Sequence, residues 1–287
     1  MKLTTLYLIS LLMQFNFTLI AQTSESNKEY RALSDAFRNK ERVEWLSLNN
    51  MGLKVLPDSL FQLTELRYLD LSQNAIEIIP EEIQKLKKLK YLVLSRNQLK
   101  VLPDSFSELK SLQSLYLDHN PEINLKKSIE ILSTLPFLKM LSLAGDNISV
   151  VPRSLSGLNH LESLDLSENN FEDLPESTPQ LRQLRVLYIN NDAHFNLDRN
   201  IKILSKLKEL KELHIENDSL QVLPASIREL ESIEYLFLIG NRIHVLPGEI
   251  NNMKKLKLLD MTGNPIPPPL IYDEYLRPKV IFRINRD

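Results

Sequence analysis

The chain contains no cysteine. That absence removes disulfides, thiolate nucleophiles and cysteine-ligated zinc, and with them a lipidated cysteine as a membrane anchor. Net charge is also scarce. The 35 basic and 37 acidic residues leave a formal charge of −2, so the basic footprint that holds nucleic acid is lacking. Catalytic signatures are missing too: no HExxH, GxSxG, glycine-rich phosphate loop or EF-hand loop occurs. No enzymatic activity, cofactor or metal is therefore expected. Long apolar runs are confined to the start of the chain.

That start is distinct. Lys2 is the only charge before an apolar run from Leu3 to Ile20, interrupted by Thr4, Thr5, Gln14, Asn16 and Thr18. Ala21 then precedes the polar stretch QTSESNKE. A positive start, an apolar middle and a small final residue read as a secretory signal peptide over residues 1–21. The alternative is a retained anchor, since 18 residues could just span a bilayer, but the polar interruptions count against it. No stable membrane insertion is expected after cleavage.

What the sequence has in quantity is self-similarity. Residues 66–88, LRYLDLSQNAIEIIPEEIQKLKK, are followed by LKYLVLSRNQLKVLPDSFSELKS. Copies begin at Val43, Leu66, Leu89, Leu112, Leu138, Leu161, Leu184, Leu210, Ile233 and Leu256, at spacings of 23 or 26 residues. A period in this range defines a solenoid, in which each unit buries its apolar face only against its neighbours. The LxxLxLxxNxL frame resembles the leucine-rich repeat family, bacterial secreted type. The resemblance spans residues 43–266 as ten repeats and implies an α/β leucine-rich repeat solenoid: a curved parallel sheet on the concave side, with short helical or irregular segments on the convex side.

Within that frame each residue type has a mechanical duty. Alternating leucines such as Leu69 and Leu71 suit a short strand. Asn74 and its counterparts can donate and accept in the turn that follows. Asp146, Asp192 and Asp218 stand at the same position, where an ionised carboxylate loses the donated bond. Proline in the Leu-Pro pairs (Pro57, Pro80, Pro103, Pro152, Pro175, Pro224, Pro247) fits an extended segment entering a short turn. The two long repeats, from Leu112 and Leu184, lack this pair and carry a helical stripe instead, predicting helices near 126–135 and 198–207. Leu66, Leu138 and Leu210 lie 72 residues apart, marking a larger three-repeat unit. Residues 22–42, with Tyr30, Leu33, Ala36 and Phe37 at helical spacing, are expected to form an N-terminal helical cap. Residues 267–287 are expected to form a C-terminal cap, with a turn around Tyr272–Leu276 and a strand around Val280–Ile284.

Side chains facing away from the core on the strands are free of these duties. Along the solenoid they read Trp45, Tyr68 and Tyr91, then Val93 and Tyr116, with His119 at the edge. A dip of small or acidic residues follows (Met140, Ser142, Ala144, Ser163, Asp165, Ser167), and Val186, Tyr188, His214, Tyr235, Phe237 and Ile239 restore bulk. Trp45, Tyr68, Tyr91, Tyr116, His119, Tyr188, His214, Tyr235 and Phe237 are the candidate partner-binding residues, because interfaces are enriched in aromatics. The competing reading is that they pack on one another to strengthen the sheet. The five histidines, spread over five repeats, read as solvated surface side chains rather than ligands or acid–base groups. Asp70, Asp165 and Asp260 share one strand position but are too far apart for a paired-carboxylate mechanism.

The resemblance implies a non-catalytic recognition module that binds a protein partner on its concave face. It implies a secreted, periplasmic or cell-surface location, with contact to host or neighbouring cells as in internalin-like adhesins. Two alternatives stay open. One is glycan binding through the aromatic row, with Arg67, Tyr68 and Asp70 as the local group. The other is a cytoplasmic scaffold, since intracellular proteins of the Ras-related leucine-rich repeat class carry similar 23-residue repeats.

Overall fold

The structure is a computed structural model and describes residues 28–266 and 280–283. The expected signal peptide and the expected turn around Tyr272–Leu276 lie outside the described residues. Among the described residues, twelve short strands form one open parallel sheet in which every strand pairs with its sequence neighbours. They are β1 Glu29–Tyr30, β2 Trp45–Ser47, β3 Tyr68–Asp70, β4 Tyr91–Val93, β5 Ser114–Tyr116 and β6 Met140–Ser142. The series continues with β7 Ser163–Asp165, β8 Val186–Tyr188, β9 Glu212–His214, β10 Tyr235–Phe237, β11 Leu258–Asp260 and β12 Ile281–Arg283.

The register explains why the frame repeats. Leu46, Leu69, Leu92, Leu115, Leu141, Leu164, Leu187, Leu213, Leu236 and Leu259 pair in one continuous line across the sheet, and all are buried. Successive side chains on a strand point to opposite faces, so the residues before and after each leucine form two parallel rows on the other face. The first row runs Trp45, Tyr68, Tyr91, Ser114, Met140, Ser163, Val186, Glu212, Tyr235, Leu258. The second runs Ser47, Asp70, Val93, Tyr116, Ser142, Asp165, Tyr188, His214, Phe237, Asp260.

The convex side is built as the prolines suggest. Pro57, Pro80 and Pro103 hold extended φ values near −70°, and each carbonyl closes a 3-10 turn by accepting from Leu60, Ile83 and Phe106. Proline suits this entry because its ring fixes φ near the value that the extended N-cap residue adopts there. At the N-terminal end, helix α1 covers only Leu33–Arg38. Tyr30 belongs to β1 instead of a helix, because its backbone pairs with Leu46. The long repeats form the two expected helices, α2 Leu125–Leu132 and α3 Leu197–Leu204. Asn124 and Asn196 cap them alike, each Oδ1 accepting from the backbone N–H three residues on. These caps are again 72 residues apart.

The asparagine ladder ties neighbouring repeats together. Asn74 Oδ1 accepts from the N–H groups of Met51 and Leu53, and its Nδ2 donates to the Leu48 and Leu71 carbonyls, each at 2.9 Å. At Asp146 and Asp218 only one of these four bonds survives. One oxygen accepts, from the Asn120 and Asp192 N–H groups respectively. The other oxygen, where asparagine would donate, is buried without a partner. Burial pushes the Asp146 carboxyl up to about 7 and that of Asp218 up to about 8. Burial raises Asp192 too. A second constraint precedes the ladder residue: Gln73, Arg96, His119, Glu168, Asn191 and Asn217 all have φ between 55° and 59°, a left-handed conformation that favours glycine. Gly145, Gly240 and Gly263 fill the same position.

Candidate functional site

The two rows opposite the core converge on one hollow of about 580 Å³. Its lining runs from Ser95 in the third repeat to Arg283 on β12, so this face of the sheet is its concave face. The hollow gathers Tyr116, His119, Tyr188, His214 and Phe237 from the sequence-derived set. It leaves out Trp45, Tyr68, Tyr91 and Tyr235, which lie along the first row. It also takes in four of the six residues of the predicted dip, Met140, Ser142, Ala144 and Asp165, which lie between Tyr116 and Tyr188, but not Ser163 or Ser167.

The walls are preorganised. Tyr116 Oη donates to Met140 Sδ at 3.0 Å, which leans the ring over the fifth repeat. Tyr188, His214 and Phe237 form a stack: the imidazole lies 4.3 Å from the Tyr188 ring and 4.2 Å from that of Phe237, in the second case with planes within 4°. Adjacent strands lie about 4.8 Å apart, so one flat ring per strand gives this spacing directly. Burial holds the Tyr116 and Tyr188 phenols well above their usual titration range, with nearby carboxylates adding to the shift.

His214 departs from the solvated reading. It is 3% exposed, with Nε2 2.7 Å from Glu212 Oε1 and Nδ1 2.7 Å from Glu216 Oε1. Burial alone would lower its pKa, but the two carboxylates outweigh that and raise it above the ordinary histidine value. Each ring nitrogen thus faces a carboxylate oxygen, an arrangement that favours the imidazolium form, and aromatic rings cover both faces. His160, His194 and His244 are exposed, as expected. His119 is half-buried at the rim, its Nε2 3.8 Å from Glu168.

Trp45 and Tyr68 also depart from the exposed reading, each being 8% exposed. Their rings stack at 4.8 Å with planes 20° apart, so each shields its neighbour. Tyr91 continues the row in register with Tyr68 and is half-buried. Lys257 Nζ sits 5.8 Å from the Tyr235 ring centre, a cation–π distance. The acidic members of the concave rows are partly committed. Asp70 Oδ1 accepts from Ser72 N–H at 2.9 Å and Ser72 Oγ at 2.7 Å; Asp260 and Thr262 repeat the motif. Asp118 accepts from Ser95 Oγ and Ser142 Oγ. Asp165 accepts from Ser167 N–H.

Sequence reasoning placed Asp165 in the dip but missed the other charges that gather around it. The lining carries Asp118, Asp165, Glu168, Glu216 and Asp260 against Arg96 and Arg283, and Arg283 already lies 3.5 Å from Asp260. The signal was present in the alternation Glu212-Leu213-His214-Ile215-Glu216, which puts three ionisable side chains on one face of one strand. Among the described residues, no group of three His, Asp or Glu side chains is arranged to hold a metal ion. Among the same residues, no helix is long and apolar enough to cross a membrane.

Comparison with known proteins matches two family models. Leucine rich repeat matches residues 41–99, 81–121 and 208–266, and Leucine-rich repeat region matches 122–222. No curated protein matches the sequence. Among solved structures, the chain is similar to internalin C2 of Listeria monocytogenes, with 24% identity, a TM-score of 0.57, and 70% of this chain and 83% of that chain covered. It is similar to the internalin InlF of the same organism, with 20% identity, a TM-score of 0.51, and coverage of 80% and 76%. It is also similar to TLR13 in a complex with ssRNA13, with 22% identity, a TM-score of 0.58, and 90% of this chain but 45% of that chain covered. At these identities the likeness is one of fold.

Proposed function

This chain belongs to the leucine-rich repeat family, and we propose that within it the protein is a non-catalytic recognition module that binds a protein partner on its concave face. The hollow between Tyr116 and Tyr188 carries this reading, because it combines apolar ring area with groups that fix orientation. Recognition sites have that composition. The surrounding frame is spent on folding: leucines fill the core, asparagines bridge repeats and prolines set the turns. Specificity is therefore left to the two concave rows.

The apolar, once-charged start of the chain and the likeness to internalins support a secreted or cell-surface location. RNA binding, which the TLR13 complex would suggest, is disfavoured by the acidic lining, since phosphate contacts need basic side chains. Glycan binding through Arg67, Tyr68 and Asp70 is less favoured. Asp70 is already occupied by Ser72, and Tyr68 is covered by Trp45.

Hydrogen exchange of the full chain with a captured partner tests the reading. Protection should concentrate on β5–β10 and the segments that follow them. Protection confined to the convex turns would overturn it, and saturation on a glycan array in place of a protein would favour the alternative.

A further inference from the structure

Between Tyr116 and Tyr188 the second concave row drops for two strands, to Ser142 and then Asp165. Three strand spacings, roughly 14 Å, separate the strands that carry the two rings, and Tyr116 leans into that gap toward Met140, which leaves room for one long side chain. Both walls present π faces or edges, and the floor is acidic. Asp118 Oδ1 and Oδ2 lie under Ser142 and Ser95, and Asp165 lies beside Asp118 closely enough to feel its charge. Among the ion pairs of the described residues, neither Asp118 nor Asp165 takes part. The positive influence on Asp165 comes from His214, whose charge is already shared by Glu212 and Glu216. The floor therefore holds two carboxylates that no ion pair of the described residues covers, although Arg96 and His119 line the same hollow.

We propose that the occupant of this dip is a cationic side chain, an arginine or lysine on an exposed segment of a protein partner, inserted between Tyr116 and Tyr188 over Asp165. The inference rests on the concave-face reading and adds the chemistry of the partner. A cation over tyrosine rings gains from their quadrupoles. It also supplies the counter-charge that the half-buried carboxylates lack, so the site discriminates by charge as well as by shape. Burial raises the Asp165 carboxyl, so binding should bring that pKa down and strengthen as pH rises through it.

Two labelled peptides of one sequence, GSXSXSG with X arginine or glutamine, test this on the full chain at physiological salt. The arginine peptide should bind about ten-fold more tightly, with a preference that shrinks in high salt. It should shift the Tyr116 and Tyr188 ring signals in NMR. Asp165→Asn, which keeps an oxygen for the Ser167 N–H, should remove most of the preference. Glu168→Gln, at a half-exposed rim side chain, should reduce it without burdening the fold, whereas the exposed Glu176→Gln outside the hollow should leave it unchanged. Equal binding of the two peptides, binding of neither, or a preference that survives both Asp165→Asn and Glu168→Gln would overturn the inference. If a captured partner meanwhile still protects the concave strands from exchange, the recognition reading stands and only the cation falls.

Discussion

The imidazole of His214 lies flat against the ring of Phe237, centroids 4.2 Å apart, while Glu212 and Glu216 each hold one of its nitrogens at 2.7 Å. The pair occupies neighbouring places in the second concave row, so an ionisable ring is built between the flat rings of Tyr188 and Phe237. Removing the imidazole leaves Glu212, 4% exposed, as a buried carboxylate without its partner. His214→Leu is expected to lower stability by about 3 kcal/mol, with part recovered in the double variant with Glu212→Gln. Chemical denaturation of the single and double variants measures both.

The sign of its pH dependence follows from the raised pKa. A histidine whose folded pKa exceeds its unfolded value stabilises the fold below the unfolded pKa and loses that contribution as pH rises through the folded one. The His214 contribution should therefore be complete in mild acid and fade above the ordinary histidine range. NMR titration of the ring should place its midpoint above the ordinary histidine value, and Glu216→Gln should move it down.

Asp146 and Asp218 follow the same sign, with burial rather than a charged partner as the cause. Each replaces a ladder asparagine and leaves one buried oxygen without a donor. Their folded pKa values, about 7 and about 8, exceed the unfolded aspartate value, so their contribution is complete below about 4 and lost as pH rises through 7 to 8. Asp146→Asn and Asp218→Asn restore the donor. Each should stabilise the chain by about 1–2 kcal/mol at pH 9 and by much less at pH 5. Melting curves at the two pH values check this, and equal gains at both would contradict it.

Gly145 meets a different demand. It sits at φ 69° beside the His119 ring, and a Cβ there would collide with Nδ1 and Cε1 of that ring. Gly145→Ala is expected to destabilise by roughly 1–2 kcal/mol through the left-handed backbone and to push His119 off the rim. The observable is loss of the through-space NMR contacts between the His119 ring and residue 145. Gly248→Ala, with ordinary φ and open space around it, should do neither.

These cases show what the sequence makes legible. Leucine spacing located the strands, because a three-residue strand needs only one buried side chain and its flanks. The missing Leu-Pro pair located α2 and α3, because a helical stripe such as Ile201 and Leu204 needs length that the 23-residue unit lacks. The rows of the concave face were readable for the same reason. Burial within those rows was not, since it depends on flat rings in adjacent repeats covering one another, as Trp45 covers Tyr68 and Tyr188 covers His214. The acidic hollow was missed because its carboxylates come from different repeats and meet only across the sheet. The left-handed residue before each ladder position was missed too, although Gly145, Gly240 and Gly263 hinted at it.

The central claim is that the concave hollow recognises a protein. Its most direct test is the dissociation constant of a partner captured by the full chain, measured for the wild type, for Tyr116→Ala with Tyr188→Ala, and for Val55→Ser with Val222→Ser. The last pair changes exposed side chains outside the hollow. Loss of at least about ten-fold in the tyrosine variant, with unchanged melting temperature and unchanged affinity in the valine variant, is the expected result. Full affinity in the tyrosine variant, with loss in the valine variant, would contradict it.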